Sequence, residues 1–213
     1  MKRPLRTTLN SESLSIMGIP YKFHKVKIED FDTCNDKYLE EVISYVKSYI
    51  LNISARFKTC EGVFFYGANG TGKTMLSSLI LKEAYRNRYS GRRLTFADYV
   101  SLYTSVWNSY NDEKEDLKYK ASIYKNVEFL VLEEIGKEID SSISVPILEE
   151  LLRYREDKGL VTIICTNLTP DLIIESYGTS IMSLIKGSMT PIKMETDDYR
   201  IKSFKERLNN ENA

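Results

Sequence analysis

The chain has 213 residues, 42% hydrophobic and 28% charged, with thirty Lys and Arg balanced by thirty Asp and Glu. That length and composition suit one domain with a substantial core, and zero formal charge argues against a protein that coats nucleic acid by overall charge alone, though a local basic patch remains compatible with it. Cys34, Cys60, Cys165 and the single histidine, His24, have no metal-ligand spacing, which argues against a zinc site. No apolar run is long enough to span a membrane, and no apolar segment follows the basic start. A cytoplasmic protein without a membrane partner is expected.

In chain order, residues 1–16 are polar and basic at the start and read as a flexible N-terminal extension. Residues 17–32 lack a helical period and read as an extended lead-in to a single domain, 17–213. Leu39, Val42, Ile43, Val46 and Ile50 recur at 3–4 spacing and predict an amphipathic helix over 36–53. "GVFFYG" (62–67) predicts a buried parallel strand, followed by a glycine-rich loop and a helix over 73–88. Further strands are predicted at 92–100, 127–134, 160–167 and 191–195. Helical stretches lie between them, including one over 144–159 with Pro146 in its first turn, and a charged helix ends the chain. Strands alternating with helices predict a three-layer α/β fold with a mainly parallel five-stranded sheet and no large C-terminal lid domain.

The loop carries the chemistry. Gly67, Ala68, Asn69, Gly70, Thr71, Gly72, Lys73 and Thr74 fit G-x-x-x-x-G-K-[ST] without a mismatch, between a strand and a helix. Glycines there let backbone N–H groups turn inward around phosphates. Lys73 adds a cation at the β/γ-phosphates, the Thr74 hydroxyl is a ligand for Mg²⁺, and Met75 completes the binding segment. A second signal is "FLVLEEIG", where Glu133 and Glu134 end a strand. In a P-loop protein the first acid holds Mg²⁺ and the second orients the attacking water. The first is usually aspartate, and Glu133 is one methylene longer. Asn167, ending "TIICTN", is a candidate γ-phosphate contact. No N-K-x-D guanine-reading tetrapeptide occurs, so ATP is the expected nucleotide.

The ordered series "GIPYKFHKVKIEDFD", "FFYGANGTGKTML", "FLVLEEIGKE", "LLRYREDKGLVTIICTNLT" and "MTPIKMETDDYRIK" resembles the AAA+ module of bacterial replicative-helicase loaders of the DnaC/DnaI type, with IstB transposition ATPases as relatives. The resemblance covers roughly residues 17–205. It implies an ASCE-class AAA+ ATPase that binds ATP with Mg²⁺, binds single-stranded DNA, forms an ATP-dependent homo-oligomer and assists a replicative helicase. It places Glu133 and Glu134 at the Walker B positions, Asn167 at sensor 1 and Arg200 at sensor 2.

Two departures accompany the resemblance. The family's G-x-R-I-x-x-R-L segment supplies an arginine to the neighbouring subunit's ATP site. "GTSIMSLIKG" (178–187) has Ser180 and Leu184 in place of the arginines, which predicts weak hydrolysis. The stretch before "GIP", residues 1–17, is also too short for the separate helicase-binding domain that loaders carry. These departures keep open a regulatory decoy of a loader or initiator, and an IstB-like transposition helper. For DNA, "LKEAYRNRYSGRR" (81–93) offers Arg86, Arg88, Arg92 and Arg93 with Tyr85 and Tyr89 interleaved, and 99–120 adds Tyr103, Trp107 and Tyr110. A solvated helix face and burial against the core are the competing explanations for those two stretches.

Overall fold

The computed structural model describes residues 8–33, 35–109, 111–138 and 141–195. Five strands, β1 (Gly62–Gly67), β2 (Gly91–Thr95), β3 (Phe129–Ile135), β4 (Val161–Thr166) and β5 (Met189–Met194), form one sheet in the order β2-β3-β4-β1-β5. Every pairing is parallel. Helices α1 (Ser11–Ile16), α2 (Lys37–Leu51), α3 (Ile53–Lys58), α4 (Lys73–Arg86), α5 (Phe96–Asn108), α6 (Asn111–Asn126), α7 (Ser141–Asp157) and α8 (Pro170–Ser188) connect and cover it.

The three layers follow from the two-residue period of the strands. Val63 and Phe65 of β1 join Phe129, Val131 and Ile163 beneath α2 and α4, where Val46, Tyr49, Leu76 and Ile80 are buried. Phe64 points the other way, with Leu130, Leu132 and Ile164, into a second core closed by α5, α7 and α8. Both faces of the central strands are therefore apolar, as expected for a parallel sheet. No described helix is long and apolar enough to cross a membrane.

Arg155 is the largest buried polar side chain. It is 0% exposed, and its guanidinium donates to the carbonyls of Tyr124, Lys125, Val127 and Val161 and to the Thr162 hydroxyl. It joins the end of α6 and the turn before β3 to β4. Burial pulls its guanidinium down to about 9.

Several boundaries differ from those the sequence predicts. The predicted strand over 92–100 stops at Thr95, whose hydroxyl accepts from the Asp98 N–H at 3.1 Å and caps α5. α7 begins at Ser141, so Pro146 lies inside the helix rather than in its first turn. Ser11–Ile16, within the stretch expected to be flexible, is helical. Asn10 caps it in a reciprocal box with Ser13, and Leu14 is buried in the first core. The 17–32 lead-in contains two single 3-10 turns, Tyr21–Phe23 and Ile28–Asp30. It is pinned by buried Lys82, which donates to the carbonyls of Phe23 (2.8 Å), His24 (3.2 Å) and Val26 (2.6 Å). The predicted C-terminal helix and Arg200 lie outside the described residues.

Candidate functional site

A cleft of about 620 Å³ opens at the C-terminal ends of β1, β3 and β4, where ligands bind in open α/β sheets. Gly70 to Met75, Glu133 to Lys137 and Cys165 to Leu168 line it on the sheet side. Lys22, Phe23 and residues 30–32 line it on the lead-in side.

The loop is shaped for phosphate. Gly67, Gly70 and Gly72 all have positive φ. At Gly72 a Cβ would lie 2.5 Å from the Phe31 ring, so a side chain there would collide with the lead-in as well as strain the backbone. α4 starts immediately after Gly72 and directs its first N–H groups at the loop. Lys73 is 9% exposed, and its ammonium donates to the carbonyls of Gly67 (2.7 Å) and Ala68. Thr71 braces the loop through its hydroxyl on the Ala68 carbonyl at 3.0 Å. Beneath it, burial pushes the Cys165 thiol up, which leaves it protonated and unreactive.

The two acids face different environments because β3 carries a bulge between Glu133 and Ile135. Glu133 stays in the sheet register and is buried. Its carboxylate lies 3.4 Å from the Ser77 hydroxyl and forms an ion pair with Arg93. Glu134 is forced outward at φ 59° and pairs with Lys137 at 3.1 Å, with both side chains half exposed. Strained backbone of this kind clusters at functional sites. Asn167 donates to the Asn69 side chain at 2.8 Å, so the end of β4 touches the phosphate loop directly.

These residues fit Mg²⁺. The described residues hold no cluster of three or more His, Cys, Asp or Glu that would cage a metal. What they offer is one hydroxyl, Thr74, and one buried carboxylate, Glu133, in the same cleft. Mg²⁺ favours such sparse protein ligation, completed by water and substrate phosphates.

The other predicted residues divide. Ser180 and Leu184 lie on α8, and the Ser180 hydroxyl bonds both Glu149 (2.7 Å) and Arg153 (2.8 Å) of α7. Arg86 and Arg88 are exposed at the end of α4, with Arg86 3.3 Å from Glu83. Arg92 is half-buried and donates to the Gly91 carbonyl. Arg93 is a correction: its side chain turns inward to pair with Glu133, a residue that lines the cleft, rather than standing on an exposed surface. Tyr89 is likewise core, packed on Phe57 and Phe129. Tyr103 is half-buried, with its hydroxyl on Glu150 at 2.6 Å. The side chain of Trp107, and Tyr110, lie outside the described residues. Sequence reasoning missed the lead-in wall at Lys22 and Phe31 and the Arg93–Glu133 pair, for which no local pattern exists.

No protein-family profile matches the chain. In sequence it is 28% identical over 133 residues to the replicative helicase loader DnaI of Bacillus subtilis, covering 62% of this chain and 40% of that protein. It is 25% identical over 197 residues to the replicative helicase loader DnaC of Escherichia coli, covering 92% of this chain and 76% of that one. The chain thus spans well under half the length of one relative and about three quarters of the other. Its fold matches the crystal structure of a DnaC helicase loader with a TM-score of 0.70 at 18% identity, over 83% of this chain and all of that one. The fold is that of an AAA+ P-loop nucleoside triphosphatase domain, and the resemblance read from the motifs, to the DnaC/DnaI-type replicative helicase loaders, holds in both sequence and architecture.

Proposed function

We propose that the chain is a loader-type ATPase. It binds ATP and Mg²⁺ in the cleft, binds single-stranded DNA, assembles with copies of itself and assists placement of a replicative helicase on DNA. The observation that carries this reading is the convergence of Lys73, Thr74, Glu133, Glu134 and Asn167 around one cleft, in a chain similar to helicase loaders over most of its length.

The residues divide the work as follows. Loop amides and the α4 N-terminus take the phosphates, and Lys73 exchanges the Gly67 and Ala68 carbonyls for phosphate oxygens. Thr74 and Glu133 would hold Mg²⁺, which supplies charge neutralisation at the phosphates. Glu134, displaced from the sheet by the bulge, accepts a proton from the attacking water once Lys137 releases it. Asn167 trades Asn69 for the terminal phosphate, giving nucleotide states different contacts and so a means to shift conformation. Hydrolysis is weak, because Ser180 and Leu184 offer a neighbouring subunit no guanidinium, and an arginine from a partner would raise it.

The same two positions favour a second reading, a regulatory decoy that occupies a loader or initiator without working as one. The third, an IstB-like transposition helper, acts on duplex DNA. The deciding experiment measures retention of the host's hexameric helicase on single-stranded DNA circles. Retention that depends on this chain and on ATP–Mg²⁺, and is lost with Lys73→Ala, is expected. Retention unchanged by the chain contradicts the loader reading, and retention lowered by it supports the decoy.

A further inference from the structure

Arg93 makes contacts that neither phosphate binding nor DNA binding accounts for. It lies on β2, an edge strand of the sheet. Its main-chain N–H donates to the Met17 carbonyl at 2.8 Å, and its guanidinium donates to the Gly18 carbonyl at 3.1 Å. The same guanidinium forms the ion pair with Glu133. One residue therefore joins the turn after α1 to the carboxylate of the metal-binding pair. The approach is close: a Cβ on Gly18, where φ is +80°, would lie 2.4 Å from the Arg93 carbonyl oxygen. The two side chains are 17% and 4% exposed, so solvent screens the pair weakly. The Arg93 Nε is buried without a hydrogen-bond partner.

Glu133 is the residue a divalent cation would use, and Arg93 already neutralises it. Two cations against one buried carboxylate repel each other, so metal arrival and the Arg93 pair oppose one another. Linkage makes the opposition reciprocal: whatever loosens Arg93 from its N-terminal contacts favours the metal, and the metal loosens those contacts.

We propose that Arg93 is a positioning residue that couples the N-terminal segment, α1 and the turn at 17–19, antagonistically to Mg²⁺–nucleotide binding. This rests on the cleft being a Mg²⁺–nucleotide site. In the metal-free state Arg93 holds both Glu133 and Gly18. With Mg²⁺ and nucleotide bound, the guanidinium withdraws from Glu133 and loosens its hold on the turn at Gly18, while Leu14, Met17 and Ile19 stay in the core.

Two measurements on the full chain test it. In a Mg²⁺ titration of fluorescent ATP-analogue binding, Arg93→Gln removes the competing charge and lowers the Mg²⁺ midpoint about fivefold or more, fivefold being the upper range for an exposed ion pair and this pair being largely buried. In hydrogen exchange on the unsubstituted protein, which needs no variant to fold, amides of 14–19 and Arg93 lose protection when Mg²⁺ is added to the nucleotide-bound protein. An unchanged midpoint in a folded Arg93→Gln overturns the proposal, as does protection that ignores Mg²⁺. Absence of analogue binding both with and without Mg²⁺ overturns the nucleotide reading itself, and the coupling with it.

Discussion

Glu134 holds left-handed backbone at φ 59°, a conformation that costs a side-chain-bearing residue about 1 kcal/mol or more and that glycine adopts freely. Its exposed pair with Lys137 returns little of that. Glu134→Gly is therefore expected to raise unfolding stability by up to about 1 kcal/mol, the relieved strain being partly offset by the greater freedom of glycine in the unfolded chain, while eliminating ATP turnover. Urea denaturation and a phosphate-release assay check the two halves, and a destabilised variant would show the bulge is not strained. Glu134→Gln keeps the backbone and should retain nucleotide affinity with turnover lost. Equal turnover in Glu134→Gln and the unsubstituted protein would remove Glu134 from the chemistry. At this scale the sequence was highly informative where residues act within one short motif. It was blind where they act across the chain: Arg93 and Glu133 are 40 positions apart, and Lys82 reaches carbonyls 56 to 59 positions away.

The elements are held together by polar rivets as well as by apolar faces. Arg155 satisfies four carbonyls and a hydroxyl without a carboxylate partner among its hydrogen bonds. Arg155→Met fills similar volume but strands those buried acceptors, each worth about 1–3 kcal/mol when unsatisfied. We expect a loss of about 3 kcal/mol or more in urea unfolding, and a change under 1 kcal/mol would mean the α6–β3 turn repacks to satisfy them. The helix start at Phe96 was legible after all: "TFAD" is a Thr-x-x-Asp cap signature, and the apolar, aromatic run around it masked the cap as strand. The α7 start was less legible, because "SSISVP" combines serines with an interior proline and has no helical period until Ile147.

For the whole molecule, alternating strands and helices set the three layers, since the β1, β3 and β4 sequences are apolar on both faces, as only a doubly covered parallel sheet requires. The lead-in wall of the cleft was not legible, because its form depends on Lys82 and on Phe31 meeting Gly72. The basic surface is narrower than its sequence indicates, with Arg93 and Tyr89 drawn inward and Arg86 and Arg88 left exposed. Replacing Arg86 and Arg88 with Glu should weaken single-strand binding and flatten its salt dependence by about 0.7 log units per lost phosphate contact. An unchanged slope would leave these two arginines as a solvated helix end.

The most direct test of the account is an equilibrium titration of a fluorescent ATP analogue with Mg²⁺, comparing the unsubstituted protein with Lys73→Ala. Lys73 is the buried cation at the centre of the phosphate loop, and loss of its charge-assisted bonds should weaken binding about tenfold to a hundredfold with the fold intact. Saturable binding that falls by that factor is the predicted result. Equal affinity in the two proteins, or no binding in either, would contradict the cleft as a nucleotide site.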